Sequence, residues 1–529
     1  MKNKIKQTID KAIETLQKEG KFAEFEMPDI LVEYPKEKNH GDYSTNVSLQ
    51  IAKIIKKKPL DIANILADKL IGAPDSFFEK VEAVAPGFIN FFISKDYLQE
   101  QVKEILKQKE KFGTSKIGNG QKTNVEFISA NPTGPLTLGN GRGGFCGDVL
   151  ANVLDKAGYK VTREYYINDR GEQIIKLGHS VLRDEQAVYK GDYINDLRKK
   201  IKGNDPEKIG EKAANIILTK MIKPAIKRMG IGFDVWFSEK SLYVKKAVDK
   251  AIDYLSENRF TYKSEGAVWF KCKEFGDDKD RVLVRKDGVE TYFASDIAYL
   301  KNKIERGFDN IIIFLGADHY GYVARLKAAA EVLGFDKDNL DAIVMQMVRL
   351  FENGKEVKMS KRTGNYITLD ELFDEVSLDV ARFFFLTRSS NTHLNFDLNL
   401  AKEQSAKNPV YYVQYAHARI CSILKKSKTK NTAGKQNVKL LNHQTELNLI
   451  KQLIKLPEVI EDTAKDYQVQ RLPHYAVELA DAFHQFYENC RVITEDKNLS
   501  QARLSLVLAV KIILKDTLDL MGISAPAKM

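Results

Sequence analysis

The stretch "NPTGPLTLGNGRGG", residues 131–144, decides how this chain is read, because Gly139, Gly141 and Gly144 match the dinucleotide fingerprint G-x-G-x-x-G. In that fingerprint a strand runs almost directly into the first glycine, so that a tight turn aims the next helix at a pyrophosphate. Here the apolar run "NVEFISA" ends at Ala130, and eight residues, Pro132 and Pro135 among them, precede Gly139. The prolines remove amide donors and extend the chain. For the dinucleotide reading, Glu164 lies 20 residues after Gly144, where a ribose-binding carboxylate belongs. The rival is a different phosphate loop at a helix start, where free amides favour anions.

Working outward, short apolar strands alternate with helices: "NVEFISA", "GDVLANVLDKAG", "YKVTREYYI", then "NIIIFLGAD", "YVARLKAAAEVLGF" and "LDAIVMQMVRLF". That alternation predicts a parallel, Rossmann-like sheet of crossover units, an α/β domain over about 120–395. A polar, Lys-rich, mainly helical insertion is expected near 178–255. Residues 1–112 read as a small α+β domain, with "QKEKFGTSKIGNGQK" as its linker. From 400 to 529 the strand signals vanish and amphipathic helices predict an all-α domain. The Lys/Thr/Asn-rich "KKSKTKNTAGKQNVK" within it reads as a loop.

Composition excludes several classes. Hydrophobic residues make up 43% and charged residues 29%, the balance of a globular rather than a disordered chain. The formal charge of +11 permits a polyanionic partner without demanding one. Four scattered cysteines form no C-x-x-C pair, so neither disulfides nor a zinc site is expected, and a reducing cytoplasm is. The amino terminus reads as an amphipathic helix, not a secretory signal. No apolar run reaches the roughly 18 residues of a membrane span.

The deciding second motif is "EVKMSKRTGNYITL", residues 356–369, where Lys358, Ser360, Lys361 and Arg362 share a small-residue loop. Ammonium groups there suit the charge that grows on pyrophosphate as it leaves an adenylate. With the glycine loop on the same domain, these two stretches resemble the signatures of class I aminoacyl-tRNA synthetases. "EFISANPTGPL", "YYINDRGEQI", "TYFASDIAY", "GADHYGYVARLKA", "NPVYYVQYAHARICSIL" and "LMGISAPAKM" narrow the resemblance to arginyl-tRNA synthetases of the bacterial type. "NHGDYSTNVSLQIAK", residues 39–53, is similar to that family's amino-terminal appended domain.

The resemblance implies ATP-dependent joining of L-arginine to tRNA(Arg) through an adenylate, with Mg²⁺ accompanying ATP. It implies no tightly bound cofactor and no protein metal cage, a monomer, and an anticodon-binding role for 400–529. Adenylate formation that needs bound tRNA is a further family trait. One departure stands out: the usual H-x-G-H reads Thr137-Leu138-Gly139-Asn140. Thr and Asn remain donors but cannot become cationic.

Residue roles follow. Thr137, Asn140, Lys358 and Lys361 are the catalytic candidates. Pro135, Gly139, Gly141, Gly316, Asp318, Met347, Val348, Met359 and Ser360 join the two lysines as ATP contacts, with Met347 and Val348 flanking adenine. Tyr292 and Asp296 stand four apart, so on a helix they share a face and can grip a guanidinium. Glu126, Ser129, Asn131 and His319 complete the arginine site; for Glu126 a buried structural carboxylate is the competing reading, and for His319 a satisfied core histidine. Tyr166, Asn168, Asp169 and Gln173 form a polar cluster after a strand. Asn46, Tyr411, Tyr415, Arg419 and Met529 are the tRNA candidates, although a tyrosine stripe at helical spacing also suits a core. Two other functions remain open: a dinucleotide-dependent oxidoreductase, and an RNA-binding protein with the synthetase fold but dead chemistry. Deleting 400–529 is expected to abolish charging and leave a folded catalytic domain.

Overall fold

Five parallel strands form the centre of the computed structural model, which describes residues 1–73, 76–357, 368–427 and 437–529, without the side chains of Lys38 and residues 318–320. The strands are β1 (Lys122–Glu126), β2 (Lys160–Ile167), β3 (Val235–Ser238), β4 (Asn310–Gly316) and β5 (Leu340–Met345). Their order is β5-β4-β1-β2-β3, all parallel. The chain therefore reverses its direction of winding between β1 and β4. Open α/β sheets bind ligands outside the carboxyl ends of the strands at such a switch point.

After β1 the proline-bearing loop leads into α1 (Leu138–Lys156). The glycines of the opening stretch let this helix lie close to its neighbours. A Cβ on Gly144 would come within 2.9 Å of Ile128, and one on Gly147 within 2.4 Å of Phe127 at the end of β1. The helix α2 (Tyr292–Glu305) precedes β4 and buries Phe293, Ile297 and Leu300.

The expected insertion is only partly helical. Helices Glu172–Leu182 and Pro206–Ile217 cross where a Cβ on Gly178 or Gly210 would collide with backbone. The interval also supplies β3, the sheet's edge strand, whose four residues are too short to show a period. A three-stranded antiparallel sheet of Thr261–Ser264, Ala267–Phe270 and Arg281–Val284 follows, unforeseen for the same reason.

At the amino terminus a four-stranded antiparallel sheet carries helices Lys2–Lys18, Val47–Ile55 and Pro59–Ile71. The next helix, Lys95–Gln108, packs instead on the carboxyl-terminal helices, and its Gln99 amide donates to the Leu441 carbonyl at 3.0 Å. Those helices include α3 (Pro409–Lys426), α4 (Arg471–Asn489) and α5 (Lys497–Leu520). Among the described residues no strand follows Asp397.

The helical block is tied to α1 along its length. Buried Arg382 donates to the carbonyls of Met521 (2.8 Å) and Met229 (2.7 Å) and pairs with Asp148. Asn152 donates to the Leu520 carbonyl at 3.0 Å, and Lys156 pairs with Asp516 at 2.6 Å. This packing revises the expectation that the catalytic part folds without residues 400–529. Among the described residues no helix is long and apolar enough to cross a membrane, and no cluster of His, Cys, Asp and Glu could hold a metal.

Candidate active site

A cavity of about 800 Å³ opens at the carboxyl ends of β1 and β4, with Glu126, Ser129, Phe314 and Gly316 on its wall. Its position is the switch point itself. The chain leaves β1 through Ile128 and Ser129, whose φ angles of 66° and 37° are left-handed. A β-branched residue pays strain there, which is tolerated mainly at functional sites. The turn puts the Ser129 hydroxyl where it donates to Glu126 (3.1 Å) and accepts from the Tyr166 amide (3.1 Å).

Tyr292 and Asp296 fall on one face of α2 and both line the cavity. The Tyr322 hydroxyl donates to Asp296. Among the described residues, no lysine or arginine nitrogen lies within ion-pair distance of Asp296. Burial pushes its carboxyl up to about 7; the Tyr322 bond opposes this, Glu126 adds to it, and Arg325 opposes it. Glu126 differs, since the fully buried Lys303 ammonium pairs with it at 2.6 Å. Glu126 is thus both a neutralised structural carboxylate and part of the wall. Asn131 also lines the cavity and donates to Gln173 at 2.6 Å.

Two residues of this neighbourhood were not anticipated. Lys303, at i+7 from Asp296, is a charge on the same helical face, and that spacing was the available signal. Glu239 is buried, has an Oε2 without a partner among the described residues, and is raised to about 7 by burial and then by Asp296. It follows a strand too short to read, so nothing in the residue pattern brings it near Asp296.

Glu164 removes the dinucleotide reading. Its carboxylate is fully buried and held by Arg306 at 2.6 and 2.8 Å, by Tyr299 at 2.5 Å and by Asn124 at 3.0 Å. No acceptor remains for a ribose.

At the start of α1, Thr137 and Asn140 form a reciprocal cap. Asn140 Oδ1 accepts from the Thr137 amide (3.0 Å) and hydroxyl (2.9 Å). Asn140 lines the cavity with Pro135, whereas the Thr137 hydroxyl is turned onto Asn140. Gly139 is exposed, but Gly141 is buried, and a Cβ there would strike Leu369 at 2.5 Å. Close packing on Leu369 is thus one reason for a glycine at 141, beside its expected contact with ATP. Leu369 ends the basic stretch, and the Thr137–Thr368 bridge and the Leu369 amide on the Leu136 carbonyl (3.0 Å) join it to the glycine loop. Lys358, Met359, Ser360 and Lys361 themselves lie outside the described residues, as do the side chains of Asp318 and His319, whose backbone turns just after β4. Met347 is exposed and Val348 buried, at the start of strand Val348–Glu352.

A second cavity, about 1030 Å³, lies among the carboxyl-terminal helices and is lined by Tyr415, Arg419, Tyr487, Arg491, Lys528 and Met529. The Arg419 guanidinium sits 4.7 Å from the Tyr415 ring and 5.0 Å from that of Tyr487. Tyr411 stacks on Tyr415 with the rings 6° apart in plane, one turn from the wall. Asn46 stands at the N-cap position of helix Val47–Ile55 without a side-chain cap bond and is on neither wall; its buried Oδ1 has no partner among the described residues.

Comparison with known proteins matches these pieces in the same order. The model "Arginyl tRNA synthetase N terminal domain" matches residues 2–93. "tRNA synthetases class I (R), catalytic domain" matches 101–199 and 183–424, and "DALR anticodon binding domain" matches 413–529. An arginine–tRNA ligase of Acetivibrio thermocellus is 43% identical over all of this chain and 99% of its own length. The chain belongs to the arginyl-tRNA synthetase family. A second arginine–tRNA ligase, from Caldanaerobacter subterraneus, is 44% identical over all of this chain and 99% of the relative. The arginyl-tRNA synthetase of Thermus thermophilus, 21% identical, shares the fold with a TM-score of 0.80 over all of both chains. For an arginyl-tRNA synthetase, the cavity holding Asp296 adjoins the class I signature helix, and the aromatic and basic cavity lies in the anticodon-binding domain.

Proposed function

We propose that the switch-point cavity is where this arginine–tRNA ligase activates L-arginine. ATP, arriving with Mg²⁺ as substrate, gives arginyl-adenylate and pyrophosphate when the arginine carboxylate attacks the α-phosphorus. The 3′-terminal ribose of tRNA(Arg) then takes the arginyl group and AMP leaves. No protein nucleophile is required, so catalysis is positioning and charge stabilisation. The observation that carries the reading is Asp296, a carboxylate on the cavity wall that no cation pairs with among the described residues. A guanidinium supplies that partner through two parallel hydrogen bonds. Tyr292 flanks it, while Glu126, Ser129 and Asn131 hold the amino-acid end. His319 borders the arginine or the ribose.

ATP lies with its phosphates at the start of α1 and its adenine by Met347 and Val348. Pro135, Gly139, Gly316 and Asp318 complete its contacts, and Lys358, Met359, Ser360 and Lys361 meet the pyrophosphate. Asn46, Tyr411, Tyr415, Arg419 and Met529 contact tRNA. The enzyme works as a cytoplasmic monomer. Charging of tRNA with each amino acid in turn tests the reading; turnover with any amino acid other than arginine, or ATP and tRNA binding without turnover, refutes it.

The titration of Asp296 gives a pH dependence with a definite sign. Its carboxyl, raised to about 7, is protonated below that pH in the free enzyme, whereas the guanidinium binds the ionised form. Affinity for arginine is therefore flat above about pH 7 and falls below it, by roughly tenfold between pH 8 and 6. Tyr322, Glu126 and Arg325 act on the group, and Asp296 in turn helps to raise the nearby Glu239. Isothermal titration with arginine across that range measures it; equal affinity at both ends contradicts it.

The Thr137–Asn140 cap separates two roles. Asn140 Oδ1 is occupied by Thr137, which leaves the Asn140 amide to donate to phosphate. Asn140→Ala should lower kcat for pyrophosphate exchange about 10²–10³-fold, as loss of one preorganised donor does. Thr137→Ala removes only the group that orients that amide and should cost about fivefold, near 1 kcal/mol. Equal losses would place the Thr137 hydroxyl directly on the nucleotide.

A further inference from the structure

Arg142 lies on the second turn of α1, two residues beyond Asn140, and is 0% exposed. Its Nη1 donates to the carbonyls of Gln346 and Thr392, and its Nη2 to that of Ser389, all at 2.8 Å. Among the described residues no carboxylate pairs with it. Burying a guanidinium without a counter-ion is unfavourable, so these three carbonyls carry the whole compensation.

The carbonyls belong to the roots of two strands. Gln346 immediately precedes Met347 and strand Val348–Glu352; Ser389 and Thr392 form the turn before strand Leu394–Asp397. The two strands pair in parallel, and the first continues through a hairpin with Lys355–Glu356 toward Lys358. A planar fork can hold three acceptors from two segments at once, which a single ammonium cannot.

We propose that Arg142 is a positioning residue for ATP. Its guanidinium fixes the Gln346–Val348 segment against α1 and so sets the separation between the adenine flank and the phosphate end of the nucleotide. The inference rests on the reading of Met347 and Val348 as that flank. Arg142 touches no substrate; it acts through backbone it holds in place.

The test uses the full-length enzyme, Arg142→Gln and Arg142→Lys, with an azido-adenine ATP analogue as photolabel. Arg142→Gln should raise the KM for ATP at least about tenfold and leave that for arginine within about twofold, since a displacement near 1 Å can cost about 100-fold. Arg142→Lys, which keeps the charge and is the safer folder, should fall between. The label should map to 346–348 in the wild type and weaken there in both variants. A merely structural role would reduce the amount of active enzyme and leave the KM for ATP alone. Label retained on 346–348 in both variants, with an unchanged KM for ATP, overturns the inference about Arg142 while keeping the adenine flank. Wild-type label elsewhere overturns the flank, and the inference with it.

Discussion

Asp296→Asn is expected to weaken arginine binding by about 2–5 kcal/mol, roughly thirty- to several-thousand-fold, the usual loss when one partner of a buried charge pair is removed. The replacement is nearly isosteric, so the contacts of α2 survive. It removes the charge, however, and turns an amide with two donors toward a guanidinium that has only donors. Glu126 cannot substitute for it, because Lys303 holds that carboxylate at 2.6 Å. ATP affinity should barely change, since on the proposed reading Asp296 meets the guanidinium and the phosphates lie at the start of α1. Tyr292→Phe removes a neutral hydroxyl from a partly exposed ring and should cost only about 0.5–1.5 kcal/mol. Arginine KM and ATP affinity, measured on both variants, decide the matter. If Asp296→Asn keeps its arginine affinity, the guanidinium binds elsewhere in the cavity.

Removal of residues 400–529 is expected to yield an aggregating fragment instead of a folded catalytic domain. Helix Lys95–Gln108 buries Leu98, Val102, Ile105 and Leu106 among the carboxyl-terminal helices. Four such side chains exposed to water represent about 6–12 kcal/mol, at about 1.5–3 each. That matches the entire stability of a typical domain, about 5–15 kcal/mol. Arg382, Asn152 and Lys156 lose partners as well. Size-exclusion chromatography and thermal melting of residues 1–399 test this. A monomer with a cooperative melt that binds ATP would show that the ties to α1 are dispensable.

The sequence carried the sheet because its strands are long enough to read: "NIIIFLG" and "KVTREYYI" became β4 and β2. It missed β3 and the small antiparallel sheet, where four-residue strands show no period and tertiary pairing decides. Spacing alone put Tyr292 and Asp296 on one face, since a helix fixes which residues are neighbours at four apart. Lys303 and Glu239 were out of reach for a different reason. Their importance depends on which carboxylates they meet, and that is set by elements far apart in the chain. The glycines were read as serving the nucleotide, and Gly141 and Gly144 also admit Leu369 and, for Gly144, Met229 and Ile128. A missing Cβ permits close approach to any neighbour, and the motif does not say which.

The Asp296 carboxylate, which no cation pairs with among the described residues, also bears on fidelity. An amino acid whose guanidinium is replaced by the equally shaped urea group would enter the cavity without steric resistance. With both terminal positions facing Asp296 it would set a carbonyl oxygen against the carboxylate, and in any orientation it brings no positive charge to the pair. Sites built around such a polar demand reject the wrong ligand by about 10⁴–10⁵, whereas an extra methylene in an apolar pocket is worth only about 1–3 kcal/mol. On the proposed reading, discrimination against the urea isostere is made mainly at binding, before any covalent bond forms. A proofreading step that hydrolyses misacylated tRNA would then have nothing of that kind to correct.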